Sequence, residues 1–179
     1  MAVDMDDFWV FGYGSLMWNP GFAFEDKMAA RAFGYRRALC VRSFVHRGTP
    51  ERPGLVLGLD HGGSCRGMAF KVSLRDKDDV VGYLRERELV THVYLERTMP
   101  ILLADGRRVA ALTYTIDRAH AQYAGALSAE DAAATVAVSH GKSGPNTDYV
   151  VNTLAHLKEM GIRDHWLEEV AAIVERAKL

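Results

Sequence analysis

Phe8–Trp18, FWVFGYGSLMW, is the stretch on which the reading of the chain turns. Its first four residues, Phe8, Trp9, Val10 and Phe11, are aromatic or β-branched and apolar at successive positions. That pattern predicts a strand buried on both faces. The character then changes at once: Gly12 and Gly14 bracket Tyr13, and Ser15 and Leu16 follow. Two glycines let the chain turn sharply and leave backbone N–H groups uncovered by any Cβ. Such a turn at the end of a buried strand is a nest for an anion, a carboxylate or a phosphate. It reads equally as a tight turn that merely ends a strand, since Gly-x-Gly is a common pairing.

Sharper motifs fail at this stretch. A nucleophile elbow needs glycines two before and two after the serine, where Ser15 has Tyr13 and Met17. A dinucleotide fingerprint needs a third glycine three after the second, and Met17 stands there. Ser15 is therefore not marked as a hydrolase nucleophile, nor the stretch as a nicotinamide site.

The chain has 179 residues, 49% hydrophobic and 25% charged, which predicts one domain, 1–179, with a full core. A net charge of −1 gives no basic field for nucleic acid or acidic membranes. Aromatics do not interleave with a basic stripe, which also speaks against single-stranded nucleic acid. Cys40 and Cys65 are too few for a disulfide framework and read as free thiols of a reducing compartment. The start, MAVDMDD, is acidic and lacks the features of a signal peptide, and no apolar run approaches membrane-span length. The expectation is a cytoplasmic protein with no membrane partner. Oligomeric state is left open.

Downstream, Asn19-Pro-Gly21 is a turn and Phe22–Ala30 is ambiguous. Arg31–Val45 reads as one long strand, or two with a break near Gly34, with Arg36, Arg37 and Arg42 as solvated edge charge. His46–Gly54, HRGTPERPG, is a loop stiffened by Pro50 and Pro53 and carrying His46, Arg47, Glu51 and Arg52. Leu55–Leu59 and Cys65–Val72 read as a hairpin turned at His61–Ser64. Asp76–Arg87 switches to helical spacing, with Asp78 and Asp79 early and Arg85 and Arg87 late, as the helix dipole favours. Glu86 and Glu88 are two apart, so only one of them can enter a site. Met99–Leu103 and Val109–Ile116 flank Asp105-Gly106, a hairpin signal.

About six strands with one helix among them, and no βαβ alternation, predict an α+β fold built on a small mixed β-barrel with flanking helices. The last third is helical. Ser128 with Asp131 opens one helix, Asn146 reads as the cap of a second that Gly161 stops, and a third runs from about Asp164. His140–Pro145 contains Gly-Lys-Ser, yet Val136 stands where a P-loop needs glycine. The seven histidines never fall at metal-ligand spacing, so neither a metal nor a cofactor is expected.

FGYGSL (Phe11–Leu16), HRGTPERPG (His46–Gly54), GMAF (Gly67–Phe70), YLRERE (Tyr83–Glu88) and GKSGPNTDYV (Gly141–Val150), in this order, resemble the ChaC family, the glutathione-specific γ-glutamylcyclotransferases. The resemblance implies the fold of that family and a reaction converting glutathione to 5-oxoproline and cysteinylglycine. The substrate's α-amine attacks its own γ-carbonyl, so a protein nucleophile is not required, and a single carboxylate can carry the protons. By resemblance that catalytic carboxylate is Glu88, with Glu86 as its rival. Tyr13, Gly14, Ser15 and Leu16 match the substrate loop, whose N–H groups would take the glutamyl α-carboxylate. Tyr149 matches a pocket tyrosine, and Arg47 could pair with a substrate carboxylate. Two influences oppose each other at Glu88: the helix C-terminus would raise its pKa, and Arg85 or Arg87 would lower it. The family carries Gly-Gly-Tyr soon after its glutamate, whereas Leu89–Val93 intervenes here before Tyr94, which leaves the register beyond Glu88 and any role of Tyr94 open. Two alternatives stand beside this reading. One is a cyclotransferase of the same fold acting on other γ-glutamyl amines or peptides. The other is a non-catalytic carboxylate-binding module.

Overall fold

Strand β1 is Asp4–Gly12, and its segment Trp9–Phe11 is buried on both faces, each residue 0% exposed, while Phe8 is half-buried. The computed structural model to which it belongs describes residues 4–179. Met1–Val3, the start of the acidic stretch MAVDMDD, lie outside the described residues. The period of two sends alternate β1 side chains into two different clusters. Trp9 and Phe11 join Leu59, Ala69, Ile101, Leu103 and Val109. Val10 joins Leu16, Phe70, Leu112 and Tyr114, together with Val80 and Leu84.

The chain divides into two units, one running up to Arg37 and resuming over Leu59–Asp117, the other formed by Ala38–Gly58 and Arg118–Leu179. Two long strands, β2 (Asp26–Ser43) and β3 (Gly54–Val72), contribute to both. Helix α1, Lys77–Glu88, strand β4, Tyr94–Leu103, and strand β5, Arg108–Ile116, complete the first unit. The five strands close in the order β1-β3-β2-β4-β5. β1 runs antiparallel to β3 and parallel to β5, so the barrel is mixed as expected. β4 and β5 form the hairpin that Asp105-Gly106 announces, with Leu102 opposite Arg108. Val80 and Leu84 are the buried face of α1.

Two readings of this region need correction. Leu55–Val72 is not a hairpin but one continuous strand, so the barrel has five strands where about six were counted. Gly62 (φ +110°) and Gly63 (φ +63°) bend β3 without ending it, and a pair of glycines that can turn the chain was read as one that does. Of the two readings of Arg31–Val45, the single long strand is the one found: β2 runs Asp26–Ser43 and carries the left-handed Gly34 inside it. Arg37 is not solvated edge charge. It is 5% exposed and donates hydrogen bonds to two backbone carbonyls. Arg42 is exposed, as read.

In the second unit, α2 (Ala129–Val138), a short β6–β7 hairpin (His140–Gly141 and Gly144–Pro145), α3 (Asn146–Glu159) and α4 (His165–Ala177) follow one another. The side chain of Ser128 accepts from the Asp131 N–H and that of Asp164 from the Leu167 N–H, capping α2 and α4. Val136, Val150, Leu157, Leu167, Val170 and Val174 are buried here. Asn146 does not cap α3. Its amide, fully buried, accepts from the Leu55 N–H and donates to the Leu55 carbonyl, fastening the first turn of α3 to the start of β3. An asparagine at a helix start carries the same signal for either job.

Candidate active site

The turn after β1 is a 310 turn, Ser15–Met17, led by Gly14. Its first internal hydrogen bond runs from the Met17 N–H to the Gly14 carbonyl, at 2.9 Å. The amides of Gly14, Ser15 and Leu16 precede that bond and have no partner inside the turn. Gly14 sits at φ −133° and ψ −132°, so the left-handed backbone is not what this glycine supplies. Tyr13 and Leu16 are buried on either side of Gly14, and Ser15 is exposed.

Helix α1 brings Arg87 to this turn. One guanidinium nitrogen donates to the carbonyls of Asn19 (2.7 Å) and Pro20 (3.2 Å) and to the Tyr83 hydroxyl (3.1 Å). The other donates to Ser15 Oγ at 2.8 Å. Arg87 Nε lies 3.5 Å from Glu88 Oε1. One arginine thus spans from the carboxylate of Glu88 to the hydroxyl of Ser15, and these two predicted residues share one site.

Glu88 is the last residue of α1, with its side chain 18% exposed. Burial pushes its carboxyl above the usual range, and Arg87 beside it pulls the other way and does not prevail. Arg85 is engaged elsewhere, in a two-bond pair with Glu96 at 2.8 and 3.3 Å. Glu86 points to solvent, as the two-residue offset requires if Glu88 points inward. Leu89–Val93 turn the chain, His92 taking a left-handed φ of 59°, and β4 begins at Tyr94, paired with Ile116.

Tyr114 was not singled out from sequence. It is 1% exposed, and its hydroxyl has no hydrogen-bond partner among the described residues. Burial pushes the phenol's pKa up, and Glu96 and Glu88 add to that, so the group stays protonated close to the Glu88 charge. Its place on an apolar strand, in Ala-Leu-Thr-Tyr-Thr-Ile, carries no polar signal.

Arg47 and Tyr149 lie in the second unit. The Arg47 guanidinium stands 5.7 Å from the centre of the Tyr149 ring and donates to the Pro145 carbonyl at 3.1 Å. Its backbone N–H donates to Ser43 Oγ. The Tyr149 hydroxyl accepts from the Leu57 N–H at 3.0 Å. These two residues are together, joined by a cation–π contact. Among the described residues, no group of three or more histidine, cysteine, aspartate or glutamate side chains could hold a metal ion.

A five-stranded mixed barrel with flanking helices is the fold of the γ-glutamylcyclotransferases. A yeast γ-glutamylcyclotransferase specific to glutathione superposes with a TM-score of 0.82, at 22% identity, over 97% of this chain and all of that one. A model of the family described as ChaC-like protein matches residues 8–177, and the chain belongs to that family. The glutathione-specific γ-glutamylcyclotransferase of Escherichia coli is 33% identical over 168 residues, 94% of this chain and 73% of that one. γ-Glutamylcyclotransferase 2-3 of Arabidopsis thaliana is 33% identical over 171 residues, 91% of this chain and 86% of that one.

Proposed function

We propose that this chain is a γ-glutamylcyclotransferase that acts on glutathione, releasing 5-oxoproline and cysteinylglycine. The observation that carries the reading is Glu88: a carboxyl with a raised pKa, linked by one arginine to the glycine turn that resembles the family's substrate loop. The relatives named glutathione-specific support the choice of substrate.

The reaction is an internal transfer. The glutamyl α-amine of glutathione attacks the γ-carbonyl carbon, the new C–N bond closes a five-membered lactam, and the amide bond to cysteine breaks. Every atom of glutathione appears in the two products, and water is not consumed. Holding amine and carbonyl in near-attack geometry supplies much of the acceleration in such a step. Glu88, the proposed catalytic residue, takes a proton from the attacking amine and returns it to the departing one. A raised pKa suits both halves of that task, because a carboxylate of ordinary acidity takes up a proton poorly near neutrality.

The amides of Gly14, Ser15 and Leu16 are proposed to receive the glutamyl α-carboxylate and to face the developing oxyanion, with Tyr13 proposed to line the same substrate turn. Arg47 is proposed to pair with a substrate carboxylate and Tyr149 to hydrogen-bond the substrate. The family match runs through both units, which supports reading 1–179 as a single domain. No helix among the described residues is long and apolar enough to cross a membrane. Cys40 and Cys65 are buried free thiols, which supports a cytoplasmic location.

The test is release of 5-oxoproline from a panel of glutathione, other γ-glutamyl peptides and γ-glutamyl amines. Turnover confined to glutathione is expected. Turnover of the amines in preference to glutathione refutes the substrate assignment. Thermal stabilisation by glutathione without product would make the chain a binding module.

A further inference from the structure

We propose that Arg37 is a positioning residue for the substrate turn, fixing the peptide that joins Tyr13 to Gly14; this rests on the proposed reading of that turn as the carboxylate site. Arg37 lies on β2 and is 5% exposed. Its Nε donates to the Tyr13 carbonyl at 2.6 Å, and a terminal nitrogen donates to the Arg66 carbonyl at 2.6 Å. A planar fork that grips two carbonyls has little freedom left to rotate, which is why the group is arginine and not lysine.

The consequence follows from peptide geometry. In a trans peptide the C=O of one residue and the N–H of the next lie in one plane and point opposite ways. The Tyr13 oxygen is drawn toward Arg37, so the Gly14 N–H points the opposite way within that plane, away from the guanidinium. Gly14 is the first of the three amides that precede the Met17-to-Gly14 bond. A cation behind the carbonyl also polarises the amide in the sense that makes its N–H a better donor. Arg37 therefore both orients and strengthens a donor that it does not itself present to the ligand. The anchor at Arg66 is firm because the next residue, Gly67, brings β3 against the Gly12 carbonyl, in contact too close for a side chain. The guanidinium thus ties the turn to the strand that pairs with β1, at the point where β1 ends.

The experiment compares Arg37→Lys and Arg37→Gln with the unaltered full-length chain, with folding followed by circular dichroism and thermal melts. The substrates are glutathione and its analogue in which the glutamyl α-carboxylate is a carboxamide. A residue that aims an amide at the carboxylate affects the two unequally, whereas a general packing defect affects both alike. The expected result is a KM for glutathione raised about tenfold or more, the loss of one charge-assisted hydrogen bond, with kcat within about threefold. The preference for glutathione over the carboxamide falls by a similar factor. A preserved preference overturns the proposal, as does an equal loss on both substrates. Failure of both variants to fold overturns it too, by assigning Arg37 to the barrel alone. Absence of 5-oxoproline release by the unaltered chain is a separate outcome, which refutes the function and not the geometry.

Discussion

Glu88→Gln separates chemistry from stability in one substitution. The amide is nearly isosteric with the carboxyl and keeps the end of α1 packed, but it cannot shuttle a proton. General acid–base catalysis by a positioned side chain contributes about 10²–10⁴-fold, so turnover should fall by that factor, about 3–5 kcal/mol of barrier. Binding of glutathione, followed by thermal shift, should persist. Stability should move the opposite way. The folded carboxyl has a pKa above its ordinary 4.5 because burial penalises its charge. The folded state then holds the proton more tightly than the unfolded state, and stability falls as pH rises through the folded pKa. Glutamine has no charge to bury. The melting temperatures of the two proteins should coincide at low pH and separate in favour of Glu88→Gln as pH rises. In the unaltered enzyme, the acid limb of kcat/KM should lie above the ordinary carboxylate range. Two results would refute the reasoning: near-normal turnover in Glu88→Gln, or a melting-temperature gap that ignores pH.

The other substitutions act through neighbours of the site. Arg87→Met removes the bonds to Ser15, Asn19, Pro20 and Tyr83, and with an arginine side chain 20% exposed the cost should be about 1–3 kcal/mol in urea melts. It also removes the group that lowers the Glu88 pKa, so the acid limb of kcat/KM should shift upward; a limb that stays in place or moves down contradicts the pairing. Gly67→Ala drives a Cβ into the Gly12 carbonyl and the Phe11 ring, and should destabilise the barrel by about 1–3 kcal/mol in the same melts. Ser15→Ala should cost activity only severalfold, because the hydroxyl is seen to accept from Arg87 and is not needed as a nucleophile; loss of all 5-oxoproline release would require a mechanism built on the serine.

Much of the fold was legible because it depends on periodicity. The double-faced burial of Trp9–Phe11, the charge order of α1, the Asp105-Gly106 turn and the Ser128 cap each follow from local rules, and each appears where the residues place it, Phe8 alone of its run being half-buried. The misread elements are those in which one local signal serves two structures. Gly62 and Gly63 can close a hairpin or curve a strand, and only the partners on both sides of β3 decide between them. Asn146 can cap its own helix or reach across to Leu55, and its side chain takes the second option because the Leu55 N–H and carbonyl meet both ends of the amide.

Glu88 and the turn of the proposed site are named by the sequence, but the carbonyl contacts of Arg37 and Arg87 are not, for a reason that lies in hydrogen-bond chemistry. A sequence reader expects an arginine to meet a carboxylate, and otherwise to stand in water. Arg37 and Arg87 do neither in the main. Their forks are satisfied largely by backbone carbonyls, those of Tyr13 and Arg66 for one and of Asn19 and Pro20 for the other, and a carbonyl acceptor leaves no trace in residue identity. The two arginines hold neighbouring parts of the same turn, one through the Tyr13 carbonyl and the other through the Ser15 hydroxyl and the two carbonyls beyond it. The turn is thus held from β2 and from α1, and the amides between those points are fixed on both sides. In the proposed internal transfer the protein forms no bond to the substrate, so what it can contribute is a folded substrate and one proton-carrying carboxyl. Under that proposal, rigidity around Tyr13–Leu16 and a raised pKa at Glu88 are the two quantities the reaction asks of the protein.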